Sequence, residues 1–314
     1  MSSPHLLAVG GAHIDRRGRV SGAYVPGTSN PGTLSEEVGG VVFNALRNAV
    51  QRGVTASLLS VRGGDNAGEA VGRAIAEAGI DDLSAVFLDR TTPSYTALLD
   101  HDGELIAGLA DMGLYELAFP KQLRRAKMRE AIAPADAVLC DANLPVAALE
   151  SLVAISGERP VFAIAISPAK ATRLAGLLPA LSCLFMNAHE ARALCAPATP
   201  ATAADLAREL RANGLASGVI TAGGEPATGF DAAGLFQVAP PTARRVADVT
   251  GAGDALAGGT VAALMKGADL RVALREGMAA AMLTVETQAA VAELSGEVFA
   301  EALALVPEPM NGGW

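Results

Sequence analysis

The chain has 314 residues, a formal net charge of −9 and 51% hydrophobic residues, which is typical of an α/β enzyme with one large domain or two domains. The acidic balance and the lack of a basic run exclude charge-driven binding to a nucleic-acid polymer. No apolar stretch approaches the ~20 residues that a membrane span needs, and no secretory signal is evident. The cysteines, Cys140, Cys183 and Cys195, form no CxxC pair and predict buried thiols in a cytoplasmic protein.

The first apolar segment, residues 6–9, predicts a buried strand that leads through Gly10-Gly11 and ends at Asp15. An acid at the carboxyl end of a parallel strand lies where open α/β sheets bind ligands. Residues 16–37 are polar and rich in glycine and proline, with scattered β formers. They predict an excursion out of the main sheet.

Gly39 and Gly40 precede Asn44 and a helical stretch that reaches about residue 51. Paired glycines let the backbone approach a ligand closely, and an asparagine offers both a donor and an acceptor. The pattern indicates either a ligand site or a helix entry that needs small residues, and the residues alone leave both readings open.

A hairpin is predicted by residues 94–99 and 104–109, which flank the turn at 100–103. In a chain of alternating strands and helices, such a hairpin lies outside the parallel sheet. With the excursion it predicts a small β lid, built from segments at about 16–37 and 90–112, that shields a closing site from water. We predict one domain over residues 1–314, with lid edges that could pair in a homodimer.

Strands and helices alternate along the remaining chain, which predicts a three-layer α/β/α fold with a mostly parallel central sheet. The predicted strands are 55–61, 137–140, 161–166, 183–186 and 218–221, with an edge hairpin at 227–231 and 235–238. The predicted helices are 66–78, 120–132, 146–156, 189–194, 203–212, 252–266 and 269–288. Residues 307–314 predict a loose terminus.

The most informative motif is Asp248-Val249-Thr250-Gly251-Ala252-Gly253-Asp254, which precedes a run of helix formers. A helix N-terminus attracts anions, because its first N–H groups lack intrahelical partners and the helix dipole adds positive potential. A carboxylate at such a place suits a general base, so the motif indicates phosphoryl transfer to a hydroxyl group. The alternative is a glycine-rich turn followed by an ordinary N-terminal acid.

Other polar residues follow predicted strands: Asp141 with Asn143, Ser167 with Lys170, Asn187 with Glu190, and Thr221 with Gly223 and Gly224. Asn187 and Glu190 offer the oxygen ligands that Mg²⁺ prefers, although their spacing also fits a helix capping box. The glycines after Thr221 indicate a phosphate cradle or a simple turn.

Two classes of site are excluded by the motifs that the chain lacks. It has no P-loop consensus, which excludes a Walker-type NTPase. The four histidines, His5, His13, His101 and His189, have no metal-binding spacing and are interpreted as structural or surface groups.

These motifs resemble the ribokinase-like (PfkB) sugar and nucleoside kinases through nearly the whole chain. The resemblance implies an ATP-dependent kinase that uses Mg²⁺, in which Asp254 is the catalytic base and Gly251, Ala252 and Gly253 form the anion hole. It implies acceptor binding by Asp15, Gly39, Gly40 and Asn44, and a nucleotide and Mg²⁺ region formed by Asn187, Glu190, Thr221, Gly223 and Gly224. Glu190 would bind Mg²⁺ through water, and Asp248 would bind a monovalent cation such as K⁺.

Within the family, four stretches resemble the pseudouridine kinases: 110–115, 141–145, 167–171 and 283–287 leading to Ala290-Val291. Val249 also fits that branch. The likeness implies a pseudouridine substrate bound in part by Asp111, Asn143 and Lys170, with transfer to its 5′-hydroxyl.

Two residues depart from the family pattern. Phe43 stands where a small or basic residue is commoner, which predicts an altered base-side pocket. Pro226 stands where a glycine is expected after the Thr221 strand, which predicts a change in the geometry of the nucleotide loop. The open alternatives are a ribokinase or another sugar or nucleoside kinase, and a catalytically silent ligand-binding protein on the same scaffold.

Overall fold

The computed structural model describes residues 3–197 and 199–312. Its strands are, in chain order, β1 (His5–Val9), β2 (His13–Val20), β3 (Gly32–Gly39), β4 (Thr55–Leu59), β5 (Val61–Gly63), β6 (Asp81–Asp82), β7 (Ala85–Phe87), β8 (Ser94–Leu99), β9 (Leu105–Asp111), β10 (Ala137–Asp141), β11 (Val161–Ile164), β12 (Cys183–Asn187), β13 (Gly218–Ala222), β14 (Glu225–Asp231), β15 (Gly234–Val238) and β16 (Met310–Gly312).

The helices are α1 (Val41–Gln51), α2 (Asn66–Glu77), α3 (Gly113–Gln122), α4 (Ala126–Ile132), α5 (Val146–Ser156), α6 (Pro168–Ala171), α7 (Ala188–Cys195), α8 (Ala203–Ala212), α9 (Ala252–Met265), α10 (Leu270–Val285) and α11 (Gly296–Leu305). A 3₁₀ helix, Thr172–Ala180, follows α6. Among the residues that the structure describes, no helix is long and apolar enough to cross a membrane.

Ten strands form the central sheet, in the order β16-β15-β14-β13-β12-β11-β10-β1-β4-β6. Neighbours from β6 to β13 pair in parallel, and β13 to β16 pair antiparallel. The chain leaves β1 toward β4 on one side and returns to β10 on the other. The topological switch therefore lies between β1 and β10, and α/β sheets bind ligands outside the carboxyl ends of the strands at such a point.

Helices cover both faces of the sheet, which confirms the predicted three-layer fold. Alternate residues of β1 point to opposite faces of the sheet. Leu6 and Ala8 pack into the core beneath α1, α2 and α9 to α11. Leu7 and Val9 pack into the core beneath α3 to α5, α7 and α8. A period of two is what side chains on a strand require when both faces are buried.

The segments that were predicted to build a lid form a separate four-stranded sheet in the order β3-β2-β8-β9, and this sheet is called the lid for its predicted role. It confirms the predicted excursion and hairpin, but β2 begins at His13 rather than after residue 15. Strand β1 ends at Val9, so Asp15 lies in the lid and not at the end of a central strand. The predicted position of this acid was therefore wrong, because a three-residue link, 10–12, separates the two strands.

The C-terminal segment was also mispredicted as loose. Residues Met310–Gly312 pair with β15 and form the edge of the central sheet, and helix α11 precedes them. Residues 313–314 of that prediction lie outside the described residues. The predicted helix 120–132 is two helices, α3 and α4, and α3 begins seven residues before Pro120.

Strand β11 is shorter than predicted, since it ends at Ile164. Ile166 has a φ of 74°, and the N–H of Ser167 donates to the carbonyl of Ala165 at 3.0 Å. A left-handed, branched residue inside such a three-residue turn cannot continue a strand.

Candidate active site

The glycine motif forms the N-terminus of α9, as predicted. Gly251 is the N-cap with a φ of 80°, and a Cβ atom there would lie 2.1 Å from the carbonyl oxygen of Ala290. Glycine is therefore required both for the backbone conformation and for the close approach. Among the described residues, the N–H groups of Gly253 and Asp254 have no acceptor, which leaves them available to an anion.

Asp254 lies in the first turn of α9, and one of its oxygens accepts a hydrogen bond from Asn44 Nδ2 at 2.9 Å. Burial raises the pKa of Asp254 to about 7; the Asn44 hydrogen bond and the charge of Arg47 oppose the rise, and the charges of Asp141 and Asp15 add to it. A carboxylate with a pKa near neutral pH is suited to general-base catalysis.

Gly39 and Gly40 do allow the close approach that the sequence indicated. A Cβ atom on Gly39 would lie 2.1 Å from Asp15 Oδ2, and one on Gly40, whose φ is 119°, would lie 2.3 Å from the carbonyl oxygen of Gly11. Gly40 is also the N-cap of α1, so the helix-entry reading is confirmed, and ligand binding by this glycine pair stays a prediction. The pair brings the lid, the β1 loop and α1 together.

A buried polar cluster lies behind Gly10 and Gly11. Asp141 accepts hydrogen bonds from the backbone N–H of Gly11 at 3.0 Å and of Asn143 at 2.9 Å. Lys170 Nζ donates to Asn143 Oδ1 at 2.5 Å. Burial raises the pKa of Asp141 and lowers the pKa of Lys170, so the cluster holds charge-bearing groups in a confined space.

His13 is a buried group that contacts Asp15, which agrees with its interpretation as a structural residue. Its Nε2 lies 3.3 Å from Asp15 Oδ1, and its Nδ1 lies 3.1 Å from the hydroxyl of Tyr115. That hydroxyl also donates to the carbonyl of Ala12 at 3.2 Å. The period of two in a strand, which puts His13 and Asp15 on one face, was the available signal for this contact.

Asp111 lies apart from these groups. It is exposed at the end of β9, at a separate cavity of about 200 Å³ shared with Arg90 and Leu114. The structure brings Asn143 and Lys170 into contact but gives Asp111 no contact with them.

Two cavities meet at the N-terminus of α9. The larger, about 670 Å³, combines the apolar side chains of Met278, Met282 and Val285 with Thr221, Gly223 and Gly224. The smaller, about 200 Å³, is lined by Asn187, Glu190 and Asp254, and both cavities share Gly253. A cavity of the larger size and apolar character suits a planar heterocycle with polar groups at one end.

Asn187 and Glu190 form the capping box that was the alternative prediction. Asn187 Oδ1 accepts from the N–H of Glu190 at 3.0 Å, and the two Glu190 oxygens accept from the backbone N–H and the side-chain amide of Asn187 at 2.8 and 2.9 Å. Glu190 is buried, and burial raises its pKa. Each of its oxygens keeps a free lone pair, so these residues fit Mg²⁺ bound through water.

Asp248 is occupied by protein donors. Its Oδ2 accepts from Arg17 Nη1 at 2.8 Å, and its Oδ1 accepts from the N–H of Thr250 at 2.9 Å. Burial alone would raise the pKa of Asp248, but the Thr250 and Arg17 contacts outweigh it and lower the pKa. With a guanidinium on the carboxylate, the residues present do not fit the predicted monovalent cation.

The two departures from the family pattern have local explanations. Phe43 is fully buried in the core and lies beneath the guanidinium of Arg47 at 4.6 Å. Its effect on the base-side pocket stays a prediction. Pro226 falls where the pairing of β13 with β14 shifts register, just before β14 pairs with β15 at Ala227. Its missing N–H therefore costs no ladder hydrogen bond.

Known proteins resemble this chain in sequence and in fold. The model of the "pfkB family carbohydrate kinase" family matches residues 3–295. A solved carbohydrate kinase from Agrobacterium tumefaciens is 45% identical, with a TM-score of 0.87 over 98% of this chain and 99% of that chain. Pseudouridine kinase from Escherichia coli is 28% identical over 84% of each chain. Arabidopsis thaliana ribokinase, solved with ribose and ATP, is 20% identical with a TM-score of 0.86 over 96% of this chain and 99% of that chain, and supports the fold alone.

Proposed function

Because this chain belongs to the pfkB family of carbohydrate kinases, which are phosphotransferases acting on hydroxyl groups, we propose that it phosphorylates the 5′-hydroxyl of pseudouridine with ATP. The observation that carries the proposal is Asp254, a carboxylate with a pKa near 7, at a helix N-terminus between two cavities. Phosphoryl transfer to a hydroxyl group requires a base for the hydroxyl proton and a site for the phosphoryl charge, and both lie within one helical turn.

Asp254 accepts the proton of the attacking hydroxyl. The free N–H groups of Gly253 and Asp254 stabilise negative charge on the transferring phosphoryl oxygens, aided by the dipole of α9. Catalysis of this kind depends on positioning and electrostatic stabilisation, and the lid supports both by covering the site.

On the donor side, the larger cavity would hold ATP, with its apolar residues around the base and its glycines near the phosphates. Asn187 and Glu190 would hold Mg²⁺ through water. The metal would neutralise phosphate charge when bound.

On the acceptor side, the buried cluster favours a nucleoside over a plain sugar. Asp15 and the backbone beside Gly39 and Gly40 suit ribose hydroxyls. Lys170 and Asn143 add donors and acceptors beyond them, as a ring with N–H and C=O groups requires. The similarity to pseudouridine kinase supports pseudouridine as that nucleoside.

The test is phosphate transfer from ATP to pseudouridine, uridine, adenosine and ribose, measured side by side. We expect the highest kcat/KM for pseudouridine. A higher value for ribose or another nucleoside would assign the chain to a different branch of the family. Absence of transfer to every acceptor, with binding retained, would instead favour a silent ligand-binding protein.

We also propose a cytoplasmic location and a homodimer that forms through the lid. The described cysteines are all free, and Leu34 and Leu109 on the outer lid strands are each 70% exposed. Sedimentation equilibrium of the wild type and of Leu34→Glu would test the dimer, since a monomeric wild type contradicts it.

A further inference from the structure

We propose that Arg47 is a positioning residue for the catalytic base, acting through the side-chain amide of Asn44. The inference rests on the proposed function, because it gives Asp254 the role of base. It adds a residue that the family motifs did not point to.

Three side chains form a directed chain of hydrogen bonds. Arg47 Nη2 donates to Asn44 Oδ1 at 2.5 Å, and Asn44 Nδ2 donates to Asp254 Oδ2 at 2.9 Å. Arg47 lies three residues after Asn44 on α1, so both side chains project from the same face of the helix. The link therefore joins α1 to the first turn of α9.

The chemistry of arginine fixes the direction of this chain. A guanidinium has only donors, so the atom of Asn44 that faces Arg47 must be the amide oxygen. The amide nitrogen must then face Asp254 and occupy Oδ2. Asp254 Oδ1 is left as the oxygen that can accept a substrate proton. Without Arg47 the amide could rotate by half a turn and direct its oxygen at the carboxylate, which would repel it.

Arg47 is itself held in place by packing rather than by an ion pair. Its guanidinium stacks on the ring of Phe43 at 4.6 Å, and its Nε is buried with no hydrogen-bond partner among the described residues. The acidic groups around it are Glu37, Asp254 and Asp15. A half-buried cation that lies among three carboxylates and is bonded to a neutral amide is more than a structural cap requires.

Arg47 also provides a positive charge that opposes the effect of Asp141 and Asp15 on the pKa of Asp254. The charged groups that act on Asp254 are Asp141 and Asp15, which disfavour its ionised form, and Arg47, which favours it. Removing Arg47 therefore has two effects on the base: its orientation is lost, and its ionisation moves to higher pH.

The test uses three variants and the kcat profile over pH with saturating acceptor. Arg47→Met keeps the stem of the side chain and removes the charge and the donors. Arg47→Lys restores a charge and a donor. Arg52→Met is the matched control, because Arg52 is the C-cap of α1 and also stacks on an aromatic ring, that of Phe299 at 3.5 Å. It forms its ion pair with Glu276, which is not a residue of the proposed site.

We expect Arg47→Met to move the acidic limb of kcat upward by about one pH unit and to lower kcat roughly tenfold at pH 6.5, with little change of acceptor KM. Arg47→Lys should recover most of the shift, and Arg52→Met should not move the limb. An unmoved limb in Arg47→Met, or equal shifts in Arg47→Met and Arg52→Met, would overturn the proposal. If Arg47→Met does not fold, Arg47→Gln serves in its place, with the same expected shift.

A comparison of Asp254→Asn with Arg47→Met distinguishes failure of this proposal from failure of the proposed function. If Asp254 is not the base, Asp254→Asn keeps the wild-type kcat, and the acidic limb of the wild-type kcat profile does not report the ionisation of Asp254. If Asp254 is the base but Arg47 is only structural, Asp254→Asn loses its rate while Arg47→Met keeps the wild-type limb.

Discussion

Arg17 on the lid strand β2 donates to Asp248 at 2.8 Å and so joins the lid to the loop that begins the anion site. The same guanidinium lies 3.2 Å from Glu37 on the neighbouring lid strand. Asp15, which we propose as an acceptor ligand, lies two residues before Arg17 in the same strand, so this short piece of β2 would couple acceptor binding to the proposed anion site.

The first prediction concerns this contact. Arg17→Met should raise the acceptor KM severalfold and increase hydrogen exchange in β2 and β3, because the lid loses its link to the loop before α9. Arg16→Met is the control, since Arg16 pairs with Glu36 inside the lid and with no other acid among the described residues. Hydrogen exchange in β2 and β3 should also fall when nucleoside is added to the wild type. Equal acceptor KM and equal exchange in Arg17→Met and Arg16→Met would contradict the role of Arg17.

The second prediction is that K⁺ does not stimulate the wild-type enzyme. The Arg17 guanidinium already neutralises Asp248, so a cation there would face a positive charge. Initial rates should be the same in potassium and tetramethylammonium salts at equal ionic strength. A clear rise in kcat with K⁺ would mean that Arg17 leaves Asp248 during turnover.

The third prediction concerns the base. Asp254→Asn should lower kcat by about 10²–10⁴-fold, the usual contribution of general-base catalysis, with acceptor binding nearly unchanged. Wild-type activity should rise with pH through about 7, as the carboxyl group loses its proton. Isothermal titration with acceptor gives the binding control, and retained activity in the variant would exclude Asp254 as the base.

The fourth prediction is a stability effect of the same substitution. The pKa of Asp254 is raised from 3.8 to about 7 in the folded state, so its contribution to stability is present below pH 4 and is lost as pH rises through 7. Asp254→Asn stays neutral at every pH. Its free energy of unfolding should exceed that of the wild type by about 1–3 kcal/mol at pH 8 and match it near pH 4. Urea unfolding at both pH values measures this, and a constant difference would contradict the raised pKa.

The fifth prediction concerns Ile166, whose φ of 74° is rare for a branched residue. Ile166→Gly and Ile166→Ala both remove the side chain from the smaller cavity, but only glycine adopts this φ without strain. The glycine variant should therefore be more stable than the alanine variant by about 1 kcal/mol in urea unfolding. The reverse order would show that the turn is not maintained in solution.

Sequence alone was sufficient where local rules decide the outcome. The alternation of apolar strands and helices predicted the layered fold, because buried strands and amphipathic helices carry their burial pattern in a few neighbouring residues. The motif from Asp248 to Asp254 predicted a helix N-terminus with a carboxylate, because glycine and alanine at such a terminus determine the backbone over a single turn.

The tertiary structure alone decided which side chains meet. Asn44 contacts Asp254 across 210 positions of the chain, and Arg17 contacts Asp248 across 231. The pKa of Asp254, the contact of His13 with Tyr115 and the pairing of Met310–Gly312 all depend on such distant contacts. Burial and charge at a site are sums over elements that the fold brings together, so no local pattern encodes them.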